Sequence, residues 1–421
     1  MRKFFVILTF ASLAGVIGCG GSGNSTPAGV PGGGTGTNAA NVLPVAVDGG
    51  PTANSLNGAI YPNGLFASAT ICAPGSTSNC VTVDHLLVDT GSFGLRVLQS
   101  AIGSLTLPPV NASNGSPAYD CVSFVDGSFL WGAVQSADVT LGGEIASSVP
   151  IQVIADPSGF SIPSSCSNGG NNEDTQATLG TNGILGIGLE PVDCGAACDP
   201  SVGGNPPTPA YYTCSGGTCG AAFVAEAQQV TNPVVLFSAD NNGDIVELPS
   251  VSSAAPTLTG SLIFGIGTET NNQLPSSSTI FTLDQSDFFT TSYKGQSLTS
   301  SFIDSGSNAL FFQDSSIPTC PTIPINLTSF YCPSSLLSLS ATNSDPNTGS
   351  TKVTNFSVDN AENLFGNNST DAAFSTLAGP NTGMSGSFDW GLPFFYGVNV
   401  YNAIDGQSVP SGAPAAPWWA Y

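Results

Sequence analysis

One short motif occurs twice in this chain and limits what it can fold into more than any other feature. Leu87-Val88-Asp89-Thr90-Gly91-Ser92 is echoed by Phe302-Ile303-Asp304-Ser305-Gly306-Ser307. In each copy an apolar run ends on an aspartate, followed by a small hydroxyl residue and a glycine. A second apolar stretch comes next, Leu95 to Leu98 in one case and Ala309 to Phe312 in the other. Further along, each copy has an apolar or aromatic element ending in glycine, Gly183-Ile184-Leu185-Gly186 and Asp389-Trp390-Gly391. A duplicated unit of this kind predicts two lobes related by approximate symmetry. The 421 residues are enough for each lobe to have its own core.

The rest of the chain reads as β. Val81 to Val83 leads into Leu86 to Val88, and Asp138 to Leu141, Ile151 to Ile154 and Val234 to Phe237 are further strand candidates. All are short, rich in β-branched residues and bounded by turn formers. The 51 glycines and 31 prolines supply the turns that many short strands need. One helix is expected, from Ala221 to Gln229. A single helix among many strands predicts an all-β body.

The paired loops resemble the two active-site loops of pepsin-like aspartic proteases, and the likeness covers most of residues 43–405. Gly127 to Gly143 resembles the flap hairpin of that family and the strand leaving it. Val234 to Gly267 resembles the connection from the first lobe to the second. The resemblance implies a bilobal fold with a central cleft, an N-terminal lobe over 43–268 and a C-terminal lobe over 269–421. It makes Asp89 and Asp304 the catalytic pair. Two carboxyls brought together cannot both ionise, so they hold one proton between them, and one activates a water while the other serves the scissile carbonyl. Gly91 and Gly306 would let backbone approach the carboxyls. Thr90 and Ser305 would bond across the lobe interface, and Ser92 and Ser307 would bond the outer carboxyl oxygens. The scheme needs no cofactor and no metal. Two positions depart from the family pattern. No tyrosine lies between Cys121 and Gly143, which leaves Phe124, Phe129 or Trp131 as flap candidates and Tyr119 as a more remote one. The second glycine element reads Trp-Gly-Leu.

The first eighteen residues, with Arg2, Lys3 and the apolar run Phe4 to Leu13, read as an export signal too short to span a bilayer. Val16-Ile17-Gly18-Cys19 resembles the lipobox of bacterial lipoproteins, which implies a lipid on Cys19. The alternative is an ordinary secretory signal with an incidental cysteine. Gly20 after Cys19 implies sorting to the outer membrane in that pattern. Residues 19–42, rich in Gly, Ser, Thr and Pro, form an expected tether. The chain is similar in these respects to an uncharacterised, DUF3443-like family of bacterial lipoproteins with the same loop pair and an aromatic C-terminus. The expected location is the bacterial cell envelope.

Beyond the signal only Arg96, Lys294 and Lys352 oppose 28 acidic residues, a formal charge of −25. Nucleic-acid binding, which needs clustered basic residues, is excluded. Adhesion of the body to anionic lipid is excluded too, so the N-terminal lipid is the expected membrane contact. Such acidity suits work in acid, although a solvated acidic surface is an equal reading.

Ten cysteines besides Cys19 imply disulfides in an exported chain. Proximity groups Cys72 with Cys80, Cys194 with Cys198, Cys214 with Cys219 and Cys320 with Cys332, leaving Cys121 and Cys166. A zinc site at residues 194, 198, 214 and 219 is the alternative. His85, the one histidine, should share a strand face with Asp89 at about 13 Å and reads as structural. Asp240 to Asp244 reads as a hairpin turn ahead of part of a calcium loop. Trp418-Trp419-Ala420-Tyr421 reads as a packed terminal strand ahead of a sugar platform.

The expected function is a monomeric endopeptidase that takes a peptide or protein between the lobes. The alternatives are an inactive lipoprotein of the same fold that binds a peptide, protein or glycan in the cleft, and an adhesive lipoprotein.

Overall fold

A computed structural model of the chain describes residues 39–51, 61–155, 159–321, 327–367 and 370–421. The signal, Cys19 and most of the tether lie outside the described residues. Among the described residues, fifteen strands join one continuous sheet and seven join a second. Each motif copy sits in the same local topology. The strand Cys80–Asp89 runs parallel to Gly183–Ile187, with Asp89 opposite Gly186, and Gly183–Ile187 pairs antiparallel with Phe93–Leu98. In the second half Gln296–Ile303 runs parallel to Phe388–Trp390, which pairs antiparallel with Leu310–Phe312. The glycine element is therefore threaded between the strands entering and leaving each aspartate loop.

The two halves share a back sheet. Val42–Val47, Leu258–Phe264, Gly243–Glu247, Val400–Ala403, Trp418–Ala420 and Ile280–Thr282 lie side by side in that order, all antiparallel. Gly260 allows close packing there, since a Cβ would lie 2.3 Å from the Glu247 carbonyl oxygen. The Trp418 and Trp419 side chains are buried, so the C-terminus is a packed strand. One apolar cluster runs from Val45 and Leu262 through Phe264 to Phe302 and Trp390, joining the lobes through their interiors. In the second lobe Phe312 stacks on Phe388 at 4.7 Å and Phe388 on Trp390 at 4.0 Å. Burial of each such ring contributes about 2–3 kcal/mol. The molecule has the all-β, bilobal pepsin-like fold.

Three local expectations are corrected. Ala221 to Gln229 is not a helix: extended chain runs to Ala225 and a single 3₁₀ turn covers Glu226–Gln228. The disulfide-closed hairpin Tyr211–Ser215/Thr218–Ala221 delivers the chain extended, and Ala222 and Val224 then bury alternate side chains. Val234 to Phe237 is a 3₁₀ turn over Pro233–Leu236, started by Pro233 and capped by the Asn232 side chain, which accepts from the Val234 N–H. At His85 the backbone is left-handed (φ 48°) and the pairing register slips, so the alternation assumed between His85 and Asp89 is broken by a bulge. Its imidazole lies 3.3 Å from Asp48 and 3.4 Å from Asp84, and the hydrogen bond to Asp48 raises its pKa. The zinc alternative at residues 194, 198, 214 and 219 is set aside, because those cysteines are disulfide-bonded. Five disulfides join Cys72–Cys80, Cys121–Cys166, Cys194–Cys198, Cys214–Cys219 and Cys320–Cys332.

Candidate active site

The two aspartate loops meet between the lobes, and four buried hydrogen bonds lock them together. Thr90 Oγ1 accepts from the Ser305 N–H at 2.9 Å and donates to the Ile303 carbonyl at 3.3 Å. Ser305 Oγ accepts from the Thr90 N–H at 3.1 Å and donates to the Val88 carbonyl at 2.7 Å. Each hydroxyl thus bonds the backbone of the opposite loop on both sides of its aspartate. A short hydroxyl is required, because only it accepts and donates within such a space. At about 0.5–1.5 kcal/mol net per bond, the lock fixes geometry more than it adds stability.

Inside this frame the Asp89 and Asp304 carboxyls are in hydrogen-bond contact and fully buried. The Gly91 N–H donates to Asp89 Oδ1 at 2.8 Å, and the Gly306 N–H donates to Asp304 Oδ1 at 2.7 Å. Ser92 Oγ donates to Asp89 Oδ2, and Ser307 Oγ lies 2.9 Å from Asp304 Oδ2. Neither glycine can be replaced without collision. A Cβ on Gly91 would lie 2.6 Å from the Asp304 carboxyl carbon, and one on Gly306 would lie 2.6 Å from Asp89 Oδ1. Burial raises both acid pKa values. For Asp89, bonds from Ser92, Asp304 and Gly91 oppose the rise. Asp304 is pushed well above the carboxylate range, first by burial, then by the charges of Asp89 and Asp389. Two buried carboxyls in contact hold one proton between them, and the pair titrates as a unit.

A hairpin of the first half reaches the second at its tip. Its strands are Ala118–Ser123 and Phe129–Leu141, and its tip spans residues 124–128. Val125 at the tip touches the other lobe, where a Cβ on Gly383 would lie 2.3 Å from Val125 Cγ1. The three flap candidates are all packed inward. Phe129 and Trp131 share a cluster with Tyr119, Tyr212 and the Cys121–Cys166 disulfide, with Trp131 stacked on Tyr119 at 5.6 Å. Phe124 packs with Leu87 and Ile184, on the strands that deliver Asp89.

Three further groups escaped the motif reading. Tyr61, before the strand Phe66–Cys72, is half-buried with its hydroxyl enclosed, and Asp89, Asp304, Asp126 and Glu173 act on its phenol; burial first and these charges next hold its pKa well above 10. Nothing in its sequence neighbourhood marks it. Asn63 clamps the lobes: its amide donates to the Asn308 and Phe374 carbonyls at 2.8 and 2.9 Å and accepts from the Phe374 N–H and the Tyr396 hydroxyl, both at 2.7 Å. Arg96, on the strand leaving the Asp89 loop, is buried between Asp120 on the hairpin and Asp193 beyond the glycine element. Gln152 and Tyr211 complete this cluster through Arg96 and Asp193. Asp193 is pushed up to about 7 by burial and then by Asp120. Apolar periodicity hides such residues, because they sit on strands that otherwise read as core.

The Asp240 carboxylate, weighed above as part of a calcium loop, accepts from the Thr268 hydroxyl and from Asn272.

Residues 37–421 match a family model described as Protein of unknown function (DUF3443). No curated protein matches the chain. Among solved structures the chain is similar to the crystal structure of an aspartic proteinase from Irpex lacteus, at 18% identity over 87% of this chain and 94% of that one, with a TM-score of 0.49.

Proposed function

The chain belongs to the DUF3443 family, and from that premise we propose that it is an aspartic endopeptidase of the bacterial cell envelope. The observation that carries this reading is the pair of buried carboxyls, one from each lobe, in hydrogen-bond contact and unequal in acidity. In the one-proton state Asp89 takes a proton from a water as its oxygen attacks the peptide carbonyl carbon. Asp304 gives its proton to the carbonyl oxygen, and a neutral tetrahedral diol results. Asp89 then returns its proton to the amide nitrogen, the C–N bond breaks, and Asp304 recovers a proton from the diol. No group changes oxidation state and none is consumed. Because burial raises both pKa values, with Asp89 pushed up to about 6, the one-proton state lies above the usual carboxylate range.

Substrate enters when the hairpin tip parts from Gly383, since the dyad is otherwise enclosed. Tyr61, held as a neutral phenol by its surroundings, is positioned to donate near the dyad in place of a tip tyrosine. A lipid on Cys19 would hold the enzyme at the outer membrane, with the Gly- and Ser-rich segment as spacer and the acidic body repelled from anionic headgroups.

The test is cleavage of a denatured protein and a peptide library by the purified chain from pH 3 to 8, with and without a statine-type transition-state inhibitor. Cleavage that the inhibitor abolishes supports the proposal. No cleavage at any pH by folded protein rejects it in favour of a ligand-binding body.

A further inference from the structure

The glycine element of the second lobe carries a charge that its counterpart in the first lobe lacks. Strand register places Leu87 opposite Ile184 in the first lobe and Phe302 opposite Asp389 in the second. Ile184 and Asp389 are therefore equivalent positions, each two pairs back from the loop aspartate. Ile184 is buried among apolar side chains. Asp389 is just as buried, and its Oδ2 lies 2.6 Å from Ser307 Oγ, whose other carboxyl contact is Asp304 Oδ2 at 2.9 Å.

A serine hydroxyl has one hydrogen. It donates to one of these two carboxyls, so the other contact must be donated by a carboxylic acid. Asp89, Asp304, Ser307 and Asp389 thus form one buried chain of three carboxyls that cannot all be ionised. Among the described residues the basic side chains are engaged elsewhere. Arg96 is taken by Asp120 and Asp193, Lys294 by Asp314, Lys352 by the Tyr421 carbonyl, and His85 sits beside Asp48 and Asp84. The strands flanking Asp389 present Phe302 and Phe311 at its register. Asp304 feels the Asp389 charge, and Asp304 in turn acts with Asp89 on the Tyr61 phenol.

We propose that Asp389 is a positioning residue that holds a proton for Asp304 and exchanges it through the Ser307 hydroxyl. In one arrangement the Asp389 acid donates to Ser307 Oγ, and the serine hydrogen points at an ionised Asp304. In the other the Asp304 acid donates to Ser307, and the serine hydrogen points at an ionised Asp389. Interconversion breaks one O–H bond at the acid end, moves the serine's own proton to the other carboxylate and leaves the serine neutral. Total charge is unchanged. During turnover the Asp389 acid, through the Ser307 hydroxyl, steadies the ionised Asp304 after it has protonated the substrate, until the proton returned from the diol restores Asp304 and leaves Asp389 with its own. The first lobe has no such device, because Ile184 has nothing to donate or accept.

This inference rests on the endopeptidase reading only for its role in turnover; the proton exchange itself is tested separately. Asp389→Asn and Ser307→Ala are compared with the natural chain. The first keeps the side-chain volume, and the second serves if the first does not fold. Removing the Asp389 charge lowers the Asp304 pKa. The one-proton dyad is then lost at lower pH, and the alkaline limb of the kcat/KM profile moves down by about 1 pH unit. Carbon-13 NMR of aspartate-carboxyl-labelled protein, with the Asp304 signal assigned by its loss in Asp304→Asn, shows the same downward move without any need for turnover. A uniform loss of activity at every pH, with the Asp304 titration unmoved in both variants, overturns the proposal. If the natural chain cleaves nothing, the endopeptidase reading fails and the NMR titration alone decides for or against the exchange.

Discussion

The two aspartate loops are alike in backbone and unlike in surroundings. Each has a glycine N–H on the inner carboxyl oxygen, a serine on the outer one and a hydroxyl locked into the opposite loop. Behind Asp89 stands the apolar Ile184, and behind Asp304 stands Ser307 with Asp389. Symmetric backbone brings two equal acids together; asymmetric side chains make them unequal. That division separates what the fold must conserve to build a dyad from what sets the task of each member.

The largest break in the symmetry would come from the glycines. Gly91→Ala and Gly306→Ala should each destabilise the protein by about 1–3 kcal/mol and remove activity, because the added methyl collides with a carboxyl group rather than with a pliable side-chain end. Chemical denaturation and peptide assay of each variant check this. Equal damage at both sites would confirm that the inner geometry is symmetric.

Next in size is Asn63→Ala. It strips four buried bonds that tie the first lobe to Asn308, Phe374 and Tyr396, at a cost of about 2–3 kcal/mol. Only the Asp304 side is tied in this way, so the loss should appear as a changed pH profile as well as a lower unfolding midpoint.

Thr90→Val and Ser305→Ala should each cost about 1–2 kcal/mol. The double variant should fall short of the sum by about 0.5–2 kcal/mol, since both hydroxyls serve one interface. Strict additivity in a double-mutant cycle would mean that the two loops do not act as a unit.

The smallest expected effect is one of pH on stability. Asp193 has a folded pKa raised to about 7, so the folded form binds its proton more tightly than the unfolded form does. Its contribution is complete below about pH 4 and is lost as pH rises towards 7. Glu173, also raised to about 7 by burial and then by Asp126, acts in the same direction, although it is only half-buried. For Asp314 burial is the largest single effect and raises the pKa, but the bonds from Lys294, Ser316 and Tyr293 together outweigh it and lower the group to about 2, so it acts in the opposite direction below pH 4. The unfolding midpoint should therefore be several degrees higher near pH 4.5 than near pH 7.5. Asp193→Asn should flatten that difference.

The doubled motif made the fold legible, because an apolar strand ending in Asp-[Ser/Thr]-Gly, with a glycine element downstream, has few ways to be buried. The strands around both loops follow from that pattern. Ala221 to Gln229 and Val234 to Phe237 were less legible, because devices outside the apolar pattern decided them: a disulfide-closed hairpin just upstream in one case and a proline with an asparagine cap in the other. Within the site, the residues written into the repeat could be read directly. Tyr61, Asn63, Arg96 and Asp389 could not, since each acts on a partner far along the chain and lies in an otherwise ordinary strand or loop. Asp389 stood inside a recognised element, yet only the strand register showed that it occupies the place of Ile184.

The most direct test of the central claim is peptide cleavage by the natural chain beside Asp89→Asn and Asp304→Asn, at the pH of greatest activity and with each variant shown to be folded by its thermal unfolding curve. The account predicts that either substitution lowers kcat/KM by about 10³-fold or more while the unfolding midpoint stays the same or rises, because one carboxyl cannot do the work of a pair that shares a proton. Cleavage that survives in either variant at near-natural rate would contradict the shared dyad and place the chemistry elsewhere.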